Sequence, residues 1–211
     1  MMKKLKYIGM AFFIILLFVG CSQTFDTALN QKQTNINSKA KMGIKDEKNQ
    51  IYASIGGKKI SEEEMDYECF RVTLQNTLAN KAEQSSCPPE QTLITQIVEL
   101  RAINYLAEEK GVTATIAEVH KRLDQLKEEE ASNSTFQEMV ALFGAEKFWK
   151  YEEQRYHSII NAEKVKEKLF EEQKEKQSYL DEKAIKLSAQ QSFDDLLVEA
   201  VGHVEPNIFY Y

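Results

Sequence analysis

Three groups of residues in this chain have chemistry to offer: the cysteines, the histidines and a run of aromatic side chains. Cys21 stands directly after Val19-Gly20, behind an apolar run from Tyr7 to Val19 and three lysines, Lys3, Lys4 and Lys6. A thiol at that position is the nucleophile that accepts a diacylglyceryl group, with palmitate added once the chain is cut in front of it. The pattern therefore reads as a signal peptide over residues 1–20 ending in a lipobox, with Cys21 as the lipidation site. The apolar run is 13 residues long, whereas a helix crossing the hydrocarbon core needs about 20. An uncleaved N-terminal anchor is the competing reading, and Gly20-Cys21 falls where cleavage should fall. Phe18 departs from the leucine usual in a lipobox.

The other two cysteines, Cys69 and Cys87, could pair in an extracytoplasmic protein. Cys69 falls near the middle of an expected helix and Cys87 in the turn beyond its end. About ten residues at a helical rise of 1.5 Å separate them by roughly 15 Å, too far for a bridge unless the turn folds back. Two unpaired thiols are the expectation. His120, His157 and His203 lie in separate elements and have no metal-type partners at helical spacing. His157 precedes Ser158, but adjacent helical residues face different directions and do not form a nucleophile–base pair. There is no glycine-rich phosphate loop, no G-x-S-x-G elbow and no H-E-x-x-H. Glu62, Glu63 and Glu64 are accounted for by capping and by the helix dipole. No catalytic residue, no metal site and no cofactor are assigned, and the chain is read as a non-enzyme.

Phe148, Trp149, Tyr151 and Tyr156 cluster within nine residues. Phe148 and Tyr156 fall on an apolar helical stripe and read as core. Trp149 and Tyr151 lie off that stripe and are the candidates for lining an exposed apolar groove that binds polypeptide.

Loss of residues 1–20 removes three lysines and no acids, taking the formal charge from −6 to −9. Such a balance argues against nucleic acid, which needs a basic footprint, and leaves membrane attachment to the acyl chains. Residues 22–49 are rich in Ser, Thr, Asn, Gln and Lys without an apolar period, so residues 21–49 are expected to form a disordered tether. As a flexible coil, its 28 residues beyond the cysteine span roughly 30 Å.

A folded, mainly α domain is expected over residues 50–211. Ile51 to Ile60, interrupted by Gly56-Gly57, reads as a short strand or hairpin. Ser61 and Glu64 form a capping box for a first helix, Glu62 to Ala82, with Met65, Cys69, Phe70, Leu74 and Leu78 inside. Pro88-Pro89 open a second helix, apolar around much of its circumference, which Gly111 ends. A box of Thr115 and Glu118 opens a third, and Ser134 with Gln137 a short fourth ended by Gly144. A long helix runs from Ala145, its later charge run being a solvated face. A last helix covers Tyr179 to Val201, and Ile208-Phe209-Tyr210-Tyr211 forms an aromatic tail.

The order of these pieces is similar to the N-terminal chaperone domain of SurA-type and PrsA-type foldases. The strand leads into Gly-Gly-Lys-Lys-Ile-Ser-Glu-Glu-Glu-Met. The apolar helix ends Ala-Glu-Glu-Lys-Gly-Val-Thr, and Ala-Glu-Val-His-Lys-Arg-Leu follows. Phe136 to Gly144 and a long helix with Arg155 echo the rest, over about residues 50–175. The resemblance implies a SurA N-terminal-like helical fold and folding assistance outside the membrane. Those foldases usually continue into a parvulin isomerase domain. Here 36 residues follow Glu175, too few for one and helix-patterned, so no isomerase is expected, and the terminal helix is expected to complete the module. The reading is a lipid-anchored chaperone-like protein on the extracytoplasmic face of the cell membrane, with unfolded or secreted polypeptides as partners. The alternative is a structural or adaptor lipoprotein of the envelope that binds one specific protein.

Overall fold

The computed structural model describes residues 51–55, 58–79, 86–177, 179–204 and 207–208, all within a unit spanning Lys45–Tyr211. The expected signal segment, Cys21 and the expected tether lie outside the described residues. The chain is mainly helical, as expected, with six helices and three short strands among the described residues.

Strands β1 (Ile51–Ile55) and β2 (Lys58–Ser61) pair antiparallel, Ile55 opposite Lys58 and Ala53 opposite Ile60, with a register shift between Ile51 and Ala53. The expected hairpin gains a third strand, β3 (Asn207–Ile208), antiparallel to the other edge of β1. Ile208, the first residue of the expected aromatic tail, thus belongs to the sheet, while Phe209, Tyr210 and Tyr211 lie outside the described residues.

Helix α1 (Glu62–Leu78) starts where Ser61 accepts a hydrogen bond from the Glu64 amide at 3.2 Å. The expected box is only half formed. The Glu64 carboxylate does not reach back, because Arg101 of α2 (Glu90–Lys110) holds both its oxygens at 2.8 and 3.0 Å. The same guanidinium donates to the Lys58 and Lys59 carbonyls, so one side chain joins α2, α1 and the hairpin.

Helix α2 begins after Pro89, which has no amide hydrogen to leave unsatisfied, and ends at Gly111. Gly111 has φ +66°, and the bonds Val112 N–H to Ala107 and Gly111 N–H to Glu108 close a Schellman motif. Leu93, Ile94, Ile97, Val98, Ile103 and Leu106 are all buried, because α2 packs against both α5 (Ala145–Lys176) and α6 (Glu182–His203). These three helices form the main bundle. Thr115 and Glu118 make the full capping box of α3 (Ile116–Glu130). Helix α4 (Ser134–Phe143) is capped by Asn133 one residue before the expected Ser134, and α6 starts after Asp181, inside the expected Tyr179 boundary.

Cys69 and Cys87 form a disulfide with Cα atoms 5.0 Å apart, which corrects the expectation of two free thiols. Helix α1 stops at Leu78, four residues short of the expected Ala82, and Cys87 lies alongside its middle. Helical rise alone gives the separation only for a chain that keeps going forward.

Candidate functional site

The predicted binding residues sit where α1, α4 and the start of α5 meet. Tyr67, Leu74, Phe136, Val140, Phe148 and Tyr151 form one buried cluster, with Phe70, Phe143 and Trp149 packed against it. Phe70 stacks on Phe143 at 4.4 Å, and Phe136 meets Phe148 edge-on at 5.8 Å, both geometries that the aromatic quadrupole favours.

Tyr151 is only 8% exposed, so it is a core residue and does not line an open groove. Its ring stacks on Tyr67 at 5.1 Å, while the hydroxyl reaches the rim and donates to Glu63 at 3.1 Å. Burial raises the Tyr151 hydroxyl above its ordinary pKa. Trp149 is half-buried and bridges two clusters, touching the α1–α4 group and the set of Val119, Leu123 and Ile160 between α3 and α5. Phe148 meets its edge at 4.9 Å, and the Lys127 ammonium sits 5.1 Å from its ring centre. The flanks that a single helical wheel leaves open are thus covered by α4 folding back and by α1.

Behind the aromatic cluster lies a set of charges that sequence reading passed over. Glu68 is 3% exposed and accepts from Arg71 Nε at 3.0 Å and from Arg155 at 3.2 Å. Burial pushes Glu68 upward, but Arg155 and Arg71 outweigh it and hold its carboxyl below the ordinary range. Glu152, also buried, lies beside them, and there burial wins over Arg155 and raises its carboxyl. The Tyr67 hydroxyl faces Glu152, yet has no partner at hydrogen-bonding geometry. Glu68 and Arg71 have the i, i+3 spacing of an ordinary surface pair. Only the crossing of α1 by α5 puts them inside, so local sequence holds no signal for it.

A second buried polar point anchors the α2–α3 turn. Asn161, fully enclosed, accepts from the Ala114 amide at 2.6 Å and donates to Asn104 at 2.8 Å. Its amide also lies 3.2 Å from His157 Nδ1. Lys164 and Lys168, on the same face of α5, donate to the Thr113 and Lys110 carbonyls.

Between α3 and α5 lies a shallow cleft of roughly 430 Å³ lined mainly by charges, among them Glu118, Arg122, Glu163 and Lys164. Arg122 pairs with Glu163 and Lys164 with Glu118, each at 2.7 Å. The Lys164 hydrogen bond, with those from Thr115, holds Glu118 down to about 2. Large apolar side chains are exposed at Tyr105, Ile116, Leu142, Tyr179, Leu187 and Val198, spread over α2, α3, α4, α6 and the turn before α6. Among the described residues no three acids, cysteines or histidines converge as metal ligands, and no helix is long and apolar enough to cross a membrane.

Compared with protein-family models, curated proteins and solved structures, the chain has no match.

Proposed function

We propose that this chain is a lipid-anchored, extracytoplasmic chaperone-like protein with a SurA N-terminal-like helical head, binding unfolded or secreted polypeptides without a catalytic step. The observation that carries the reading is how the C-terminal segment closes the head. Helix α6 packs on α2 and α5, and β3 pairs with β1, so the segment that follows the motif-bearing region returns to the strand that opens it. That is the role the foldase resemblance gives to the terminal segment. The Cys69–Cys87 bond supports the location, since disulfides persist in oxidising compartments outside the cytosol. Cys21 carries the lipid in this reading, and the half-buried Trp149 is the remaining aromatic candidate for client contact.

Suppression of aggregation of an unfolded model protein by the purified chain is the direct test. No effect at stoichiometric excess overturns the chaperone reading. The adaptor reading is favoured by the burial of Tyr151 and by the spread of exposed apolar residues over separate helices. Capture with the membrane-attached protein separates the two: many clients for a chaperone, one dominant partner for an adaptor.

A further inference from the structure

The two halves of the Cys69–Cys87 disulfide have unequal surroundings. Cys69 is half-buried in the middle of α1, next to the buried Glu68 and to Phe70 of the aromatic cluster. Cys87 is exposed, two residues before α2's capping position at Pro89. The buried face of α2 begins only at Leu93. The bond therefore ties α1 to the segment leading into α2 from outside the core, and it can open without displacing the side chains that hold α2 in the bundle.

Thiol–disulfide exchange needs a thiolate to approach the attacked sulfur in line with the S–S bond, so access, together with the pKa of the leaving thiol, sets which sulfur reacts. Cys87 is the exposed residue of the pair, whereas Cys69 lies on a half-buried helix face. We propose that this bond is a reversible exchange site whose partner is an extracytoplasmic dithiol protein, with Cys87 as the attacked sulfur. The incoming thiolate forms a new S–S bond to Cys87 as the Cys69–Cys87 bond breaks, and the electron pair leaves on Cys69, which takes a proton from water. The second thiol of the partner then attacks the mixed disulfide and releases Cys87. The chain gains two electrons and two protons, and the partner dithiol becomes a disulfide; bond formation during maturation is the same sequence reversed. This site rests on the extracytoplasmic location proposed above but not on polypeptide binding.

The full chain carrying Cys21→Ser leaves this pair as its only cysteines. Exposed to reduced glutathione in native buffer, acid-quenched and mapped by peptide mass, it should carry glutathione on Cys87. Reduction by dithiothreitol should run within about tenfold of its rate in urea, because the native bond is already accessible. Glutathione on Cys69, a larger slowing in the native state, or two thiols free in the air-oxidised protein would each overturn the proposal.

Discussion

At Glu152 burial and charge pairing oppose one another. Arg155 and Arg71 favour its ionised form, while burial and the neighbouring Glu68 disfavour it, and the net effect raises its carboxyl above 4.5. A group whose folded-state pKa lies above its unfolded value contributes stability that is fully present below the unfolded value. That contribution fades as pH rises through the raised value. Glu152→Gln, which stays neutral throughout, should match the parent below the ordinary carboxylate range and become the more stable of the two as pH rises through and beyond it. Glu68, shifted the opposite way, is present in both proteins, and its repulsion of ionised Glu152 is part of what the comparison reads. Urea unfolding across that range is the measurement. A variant that grows less stable with rising pH would mean that Arg155 keeps Glu152 ionised in the core. Truncating Glu68 itself would leave Arg71 and Arg155 without their shared acceptor, the situation in which a buried ion pair is costly to break.

At the scale of elements, local chemistry set most of the boundaries. Gly111 shows why: its φ of +66° is strained for any residue with a Cβ, yet a Cβ built there meets nothing within 4 Å. Gly111→Ala should therefore cost only the left-handed backbone penalty, about 1–2 kcal/mol, and Gly111→Asn less, read as shifts in the urea midpoint at unchanged slope. A change of slope would point instead to loss of packing between α2 and α5. The Gly111 stop and the Thr115–Glu118 box were legible in the sequence because each is complete within a few residues. The half-formed box at Ser61 was not, since Arg101, 37 residues further on, takes the Glu64 carboxylate. Likewise, the apolar stripe read for α1 missed Tyr67, which turns inward against Phe143 of α4 and Phe148 and Tyr151 of α5. The disulfide escaped for a related reason. Helical rise counts forward from Cys69, while the place of Cys87 beside α1 depends on where α2 docks. Residue periodicity reports which face is apolar but not which neighbour arrives to cover it.

For the molecule as a whole, the decisive element is α6. Among its buried side chains are Ile185, Phe193 and Val201, each worth roughly 1.5–3 kcal/mol when enclosed. Their sum, roughly 5–9 kcal/mol, is comparable with the entire net stability of an ordinary domain, about 5–15 kcal/mol. Losing α6 would also uncover the faces of α2 and α5 that it packs against, and would remove β3 from the edge of β1. A chain ending at Gln177 should therefore lose its cooperative unfolding transition and bind a hydrophobic dye. A peptide covering residues 179–211, supplied in trans, should restore the transition in part, since the docking surface on α2 and α5 is apolar and extended. A truncated chain that unfolds cooperatively with the parent's denaturant slope would show that α6 is an appendage. The closed head on which the chaperone-like reading rests would then have to be replaced by one built from α1 to α5 alone.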